Sequence, residues 1–296
     1  MDLWILLSLL ALAANAAKVL VVKLFCRDID SRLLVFSGRL VSAAVLLPVL
    51  IVTCHGLPMD GIFWFVIAIT AILTAVASVL YTQAVQHGTL TIVLPTQAAV
   101  PVLSLITLWI GWSETPSLRS AVLMITSMVC LAYALWAQAP RNGGHDDGRR
   151  FIVYALIAAI LFGVTTILDR VAIARVAFGA LAYSACWSLA STVLMGVQCF
   201  HAGVFRLGIL DRKIAGSVGL YSAAVLGAFY AQQYAVQLSL SIPGGVVHVK
   251  SIVMLHLPVV ILAGYLALKE KISPRSLIAG LLALAAGWLL IHDVAR

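Results

Sequence analysis

Ten long apolar segments dominate this sequence of 296 residues and decide what the chain can fold into. A transmembrane helix needs about 20 consecutive, mostly apolar residues. The segments lie at about 3–25, 33–54, 61–87, 89–112, 118–138, 151–169, 178–200, 214–237, 243–267 and 275–292. Hydrophobic residues make up 63% of the chain and charged residues 10%, against about 45–50% and about 25% in soluble domains. The sequence therefore predicts an all-α integral membrane protein with ten transmembrane helices.

Charge and motif content exclude several classes of protein. The net charge is +8, but basic residues stand at most two together, so nucleic acid is not an expected partner. The five cysteines show no CxxC spacing, which argues against a metal site or a disulfide framework. No HExxH, paired-aspartate or Walker motif occurs, so neither catalysis nor a cofactor is expected.

Sequence landmarks recur in the same order in the two halves of the chain. The pattern E-x-x-S-x-R-S begins at Glu114 and again at Glu270, 156 residues later. The tripeptide Ala-Val-Gln stands at 84–86 and at 235–237, a spacing of 151 residues. These repeats predict a first five-helix unit at 1–138, a polar linker at 139–150 and a second unit at 151–296. Since five is odd, the two units would enter the membrane from opposite sides, as in many secondary transporters.

The repeated E-x-x-S-x-R-S pattern has two interpretations. Thr115-Pro116 and Ser273-Pro274 are typical helix starts, with a capping hydroxyl before a first-turn proline. Glu114 and Glu270 then lie either in a plain polar loop or at a gating position.

The landmarks resemble those of the EamA-like family in the drug/metabolite transporter superfamily. The resemblance rests on a proline-bearing fourth and ninth segment, each followed by Glu and a capped helix start. The stretch 36–44, with Arg39 near its start, also resembles the second helix of that family. It implies a multi-pass protein of the cell inner membrane that exports a small metabolite. A non-transporting membrane subunit and an intramembrane enzyme are the alternatives.

Charged residues inside apolar segments are costly and are therefore functional candidates. Lys250, with His248 nearby, lies well inside the ninth segment, which favours a position facing a cavity. Lys18 either binds substrate or extends to the membrane surface. For Arg39 an interfacial or structural role is favoured.

Two polar stripes at helical spacing extend the set of predicted substrate-binding residues. The third segment carries Gln83, Gln86 and His87, and the eighth carries Tyr230, Gln233, Tyr234 and Gln237. In lipid, a one-sided polar stripe must face protein or water. Both stripes fit a shared cavity between the halves, and interhelical hydrogen bonds or ordinary aromatic packing are the alternatives.

Prolines and glycines interrupt the fourth and ninth segments. They are Pro95 and Pro101 in the fourth, and Pro243, Gly244 and Gly245 at the start of the ninth; Pro258 follows Pro101 by 157 residues. Interrupted segments at corresponding positions indicate a transport site, although a proline can equally mark a static kink.

The sign of the buried charge indicates the substrate. Lys18, Arg39 and Lys250 are basic, whereas Asp169 is placed near the end of its segment. We expect a zwitterionic or anionic metabolite, such as an amino acid, an amino-acid derivative or a polycarboxylate metallophore, with its carboxylate on Lys250. Histidine is the side chain whose ordinary pKa lies near neutral pH, so His87, His248 and His256 are candidates for coupling transport to protons; a purely structural hydrogen bond is the alternative.

The orientation of the chain receives conflicting indications. The odd-numbered loops hold twelve Lys and Arg residues, so the positive-inside rule places both termini outside the cytoplasm. The family resemblance implies the opposite orientation.

Overall fold

The fold is a bundle of α-helices, seen here in a computed structural model. The structure describes residues 2–54, 57–58, 60–88, 90–97, 117–138, 146–204, 212–242 and 244–268, and single positions or pairs within 100–107 and 274–289. No β-strand occurs in this described part of the chain. The predicted all-α class is therefore confirmed.

The helices follow the apolar segments closely. Their bounds are α1 Leu3–Phe25, α2 Ser31–Cys54, α3 Gly61–His87, α4 Leu90–Thr96, α5 Leu118–Gln138, α6 Asp146–Arg175, α7 Gly179–His201, α8 Arg212–Ser239, α9 Gly245–Met254 and α10 His256–Leu268. Seven stretches of the described residues are long and apolar enough to cross a membrane, with α9 and the first part of α10 forming one of them. Membrane spans are thus confirmed, and the number ten stays a prediction.

Helix α6 is longer than its apolar segment. It begins at Asp146, inside the predicted linker, and continues to Arg175, beyond the predicted end at 169. The apolar pattern stops at Asp169 because two charged residues follow there, but the backbone remains helical. Asp169 therefore lies within a helix rather than at its end.

Two predicted segments are interrupted rather than continuous. The ninth is divided at Leu255, whose N–H donates to the Ile252 carbonyl at 3.1 Å. Pro258, three residues on, lacks the N–H that a continuous helix would donate to Met254. The fourth breaks after Thr96, where Gln97 N donates to the Leu94 carbonyl at 2.9 Å, four residues before Pro101. Both breaks therefore precede the repeated prolines.

A charged pair at the ends of two membrane spans connects the start of α3 to the end of α6. Asp60 caps α3, because its Oδ1 accepts a hydrogen bond from Phe63 N at 2.7 Å. Its Oδ2 lies 3.4 Å from Arg175 Nη1. The Phe63 N–H and the Arg175 guanidinium together hold the pKa of Asp60 below its ordinary value.

Three helix pairs make the most extensive contacts of the bundle. They are α1 with α8, α3 with α6, and α2 with α7. Large side chains such as Trp187, Tyr183 and Phe63 are fully buried between the helices. The outward faces are apolar, as with Leu3, Leu6 and Leu10 on one side of α1. Apolar outer faces are what a bilayer requires of spanning helices.

Candidate functional site

A cavity of about 160 Å³, lined by charged, polar and aromatic side chains, lies between the helices of the two halves. Helices α1, α2 and α3 line it from the first half, and α6 to α9 line it from the second. The two helix breaks also reach it: Gln97 and Val100 beside the first, and Met254 and His256 beside the second. A cavity lined by two interrupted helices has the arrangement typical of a transport site.

Asp169 and Lys250 form a buried ion pair in the cavity. Lys250 Nζ lies 3.2 Å from Asp169 Oδ2, and the two side chains are only 8% and 5% exposed. The Tyr183 hydroxyl donates to Oδ1, and Gln233 Nε2 donates to Oδ2 at 3.4 Å. Helices α6, α7, α8 and α9 therefore meet at one carboxylate. Asp169, expected near the end of its apolar segment, instead lies within α6, which continues to Arg175.

Two further cations line the cavity without a carboxylate partner among the described residues. Lys18 Nζ donates to Asn15 Oδ1 at 2.8 Å, one turn earlier on α1. The Arg39 guanidinium lies 3.9 Å from the ring centroid of Trp187, and its Nη2 donates to Ser78 Oγ at 3.1 Å. With Lys250 offset by Asp169, the cavity lining keeps an excess of positive charge.

Aromatic rings form one wall of the cavity. Trp187 and Phe229 stack with their centroids 4.1 Å apart and their planes at 19°. Tyr183 stacks on Trp187 at 6.5 Å, and Trp187 Nε1 donates to Thr74 Oγ1 at 3.1 Å. The ring that supports Arg39 is thus fixed by stacking on one side and a hydrogen bond on the other.

The structure brings three of the ten predicted substrate-binding residues to the cavity. These are Lys18, Gln233 and Lys250. The remaining seven are outside its lining: Gln83, Gln86, His87, Tyr230, Tyr234, Gln237 and His248. Arg39, expected to be interfacial or structural, does line it.

The two glutamines of the repeated Ala-Val-Gln tripeptide bind the backbone near the start of a neighbouring helix. Gln86 Nε2 donates to the carbonyls of Cys26 and Ile29, at 2.7 and 2.8 Å, in the connection between α1 and α2. Gln237 Oε1 accepts a hydrogen bond from Ala180 N, at 2.8 Å, at the start of α7. The interhelical alternative thus describes both contacts.

The other four residues of the stripes, and His248, are also absent from the cavity lining. Tyr230 and Tyr234 stack on each other with centroids 6.0 Å apart. His87 is exposed at the end of α3, 5.8 Å from the Phe151 ring. Gln83 is half-buried, and His248 is buried on α9.

The predicted gating residues are described only in part. Glu114, Glu270 and Pro243 lie outside the described residues. Pro95 falls within α4 and Pro101 is buried beyond it.

The glycines that open α9 are required by the turn before it. Gly244 takes a φ of 69°, and a Cβ on Gly245 would lie 2.2 Å from the Ser239 carbonyl oxygen. Gly88, 157 residues before Gly245, is equally confined, since its Cβ would lie 2.6 Å from the Ala84 oxygen.

Several cavity residues were missed from the sequence, and one available signal identifies the most important of them. Asp169 follows Lys18 by 151 residues, the same spacing that separates Gln86 from Gln237. Extending the repeat spacing to every charged residue would have placed Asp169 opposite Lys18 in the duplicated pattern. Trp187 and Phe229 carry no comparable signal.

These features define a polytopic helical membrane protein with a charged central cavity. Residues 2–136 match the EamA-like transporter family. The match confirms the family resemblance over residues 2–136, and that family implies a membrane transporter of the drug/metabolite type.

Solved structures support the fold independently. In all, 28 chains of solved structures match. One crystal structure superposes with a TM-score of 0.68 at 16% sequence identity, covering 96% of this chain and 97% of the other. At that identity the similarity concerns the fold alone. No curated protein matches the chain.

Proposed function

We propose that the protein is a secondary active exporter of a small zwitterionic or anionic metabolite in the cell inner membrane. Amino acids, amino-acid derivatives and polycarboxylate metallophores are the substrate classes that the cavity favours. The observation that carries the proposal is a cavity between two interrupted helices, with Lys18 and Arg39 in excess over its carboxylate. A fixed cation in a low-dielectric site attracts a carboxylate far more strongly than it does in water.

The ion pair changes the assignment of the carboxylate site. Lys250 Nζ lies 3.2 Å from Asp169 Oδ2, so a substrate carboxylate at Lys250 would lie against a second carboxylate. Lys18 and Arg39 have neutral hydrogen-bond partners, Asn15 and Ser78. We therefore assign the substrate carboxylate to Lys18 and Arg39 rather than to Lys250.

The helix contacts support two equivalent halves, the arrangement on which alternating access is built in many transporters. Suppose that α1, α2 and α3 of the first half correspond to α6, α7 and α8 of the second. An internal two-fold axis then maps the contact between α1 and α8 onto the contact between α6 and α3. The same axis maps the contact between α2 and α7 onto itself. These are the three most extensive helix contacts, as an internal two-fold axis requires. The loop contacts of Gln86 and Gln237 obey the same symmetry, which supports a second EamA-like unit at 151–296.

Single-reporter fusions test the inverted arrangement. A reporter placed in the 139–145 segment and another at the C-terminus should lie on opposite sides of the membrane, because five spans separate them. The absolute side of each reporter also decides the orientation. Two reporters on the same side would contradict the inverted five-helix repeat.

Flux into proteoliposomes tests the transport function. The purified protein should catalyse counterflow of anionic or zwitterionic solutes above the rate of protein-free liposomes, and should discriminate against cationic ones. An imposed pH gradient should alter the flux if protons are the coupling ion, with His256 the histidine that lines the cavity. Preference for cations, or no flux of any solute, would contradict the proposal.

A further inference from the structure

Five pairs of cavity-lining residues stand at the repeat spacing of 151 residues. The pairs are Lys18 and Asp169, Thr74 and Val225, Ser78 and Phe229, Tyr81 and Gln232, and Thr82 and Gln233. This is the spacing that separates Gln86 from Gln237. The cavity is therefore lined from α1 and α6, and from α3 and α8, by the same positions of each half.

One of these five pairs carries opposite charges. The position that holds an ammonium in α1, Lys18, holds a carboxylate in α6, Asp169. The two do not neutralise each other: Lys18 Nζ donates to Asn15, and Asp169 pairs with Lys250. Both nevertheless line one cavity. Corresponding positions thus present a cation and an anion to the same cavity.

We propose that the cavity selects zwitterions in a fixed orientation, with the substrate carboxylate on Lys18 and its ammonium on Asp169. Arg39, held against Trp187, supports the carboxylate end. Lys250 and the Tyr183 hydroxyl hold the Asp169 carboxylate for the incoming ammonium, which shares its oxygens with them. This inference deepens the proposed transport function and rests on it, because it names the substrate class of the same site.

The proposal explains why the cavity keeps a carboxylate at all. A site for plain anions would gain from losing Asp169, since a negative charge repels the ligand. A buried ion pair is also weak evidence for stability, because its desolvation offsets its attraction. A carboxylate that four helices surround, one full repeat spacing from an ammonium in the same cavity, serves a ligand that carries both charges.

Counterflow with matched solutes tests this orientation. The probes are alanine, phenylalanine and glutamate, each offered as the free amino acid, as the N-acetyl derivative that lacks the ammonium, and as the amide that lacks the α-carboxylate. Wild type should transport the free amino acid at least about tenfold faster than either derivative, since one charge-assisted hydrogen bond corresponds to about that factor. Equal rates for free and N-acetylated forms would overturn the proposal but leave the transport function standing. No flux of any probe would instead contradict the transport function.

Variants separate a substrate contact from a structural contact. Lys18→Met should lower the ratio of free amino acid to amide flux, and Lys23→Met is its matched control. Lys23 lies on the same helix, but its Nζ donates to the Gly88 carbonyl at 2.6 Å, away from the cavity lining. Its replacement should leave that ratio unchanged.

The Asp169 test uses a double variant, because Asp169→Asn alone leaves Lys250 buried without its counter-ion. Asp169→Asn with Lys250→Met removes both charges and restores a neutral interior. The ratio of free amino acid to N-acetyl flux should fall about tenfold in the double variant. Recovery of the wild-type ratio would show that the pair is structural only and would overturn the proposal.

Discussion

The two halves of the molecule present different chemistry to the cavity from corresponding positions. The first half contributes Lys18, Arg39 and the hydroxyls of Thr74, Ser78 and Thr82. The second contributes Asp169, Lys250 and an aromatic wall that includes Trp187 and Phe229. Equivalent helix contacts and equivalent glutamine contacts nevertheless occur in both halves. Backbone arrangement and side-chain chemistry therefore vary independently in this protein. A symmetric framework surrounds a cavity suited to an asymmetric ligand.

The largest difference between the halves should appear when their equivalent charges are removed. Asp169→Asn leaves the buried Lys250 ammonium without a counter-ion, which costs about 3–5 kcal/mol of the free energy of unfolding. Lys18→Met should change that free energy little, because Lys18 bonds only to Asn15 one turn away in the described chain. Thermal unfolding in detergent measures both variants.

The double variant Asp169→Asn/Lys250→Met is the control for that comparison. It should recover most of the stability that Asp169→Asn loses, because no buried charge remains. Equal losses of unfolding free energy in Lys18→Met and Asp169→Asn would contradict the expected difference between the two positions.

Equivalent loop contacts should instead respond alike in the two halves. Gln86→Leu leaves the carbonyls of Cys26 and Ile29 without this donor, and Gln237→Leu leaves Ala180 N without this acceptor. Each change should lower the free energy of unfolding by about 1–3 kcal/mol. Thermal unfolding checks the stability, and the KM for substrate should stay unchanged. A changed KM in Gln237→Leu would indicate that Gln237 contacts the substrate.

Arg39 is a further difference between the halves, because the second half has no cation at the corresponding position. The position 151 residues later is Ala190. Arg39→Lys keeps the charge but loses the planar stacking on Trp187, 3.9 Å away. A cation–π contact is worth about 0.5–2 kcal/mol, so the KM for carboxylates should rise several-fold. Flux measurements on Arg39→Lys and Trp187→Leu should show similar increases, and no increase in either would remove Arg39 from the carboxylate site.

The sequence predicts the spans well, because about 20 apolar residues leave few alternatives to a transmembrane helix. Helix α1 matches its predicted segment at both ends, and α3 does so as well. The sequence-based prediction of the helix end fails at Asp169. Hydropathy falls at this charged residue, although the helix continues to Arg175. The prediction also fails for the glutamine stripes, because periodicity identifies a polar face but not whether that face meets a cavity or a loop. Gln86 and Gln233 are both glutamines at the second position of their polar stripes. Gln86 nevertheless binds the connection between α1 and α2, whereas Gln233 lines the cavity.

The smallest effect is expected where the contact between the halves is exposed. Asp60 of the first half pairs with Arg175 of the second at 3.4 Å, and Phe63 N–H and Arg175 lower its pKa. A carboxylate with a lowered pKa stabilises the fold above its unfolded pKa, near 3.9, and this contribution is lost as the pH falls through the folded value. Asp60→Asn keeps a capping oxygen but removes the charge. Thermal unfolding of wild type and Asp60→Asn should therefore differ slightly between pH 6 and 8 and converge below about pH 4. Because surface ion pairs are screened, high salt should also reduce the difference at pH 7. A difference that is independent of both pH and salt would mean that the cap, and not the charge between the halves, accounts for the role of Asp60.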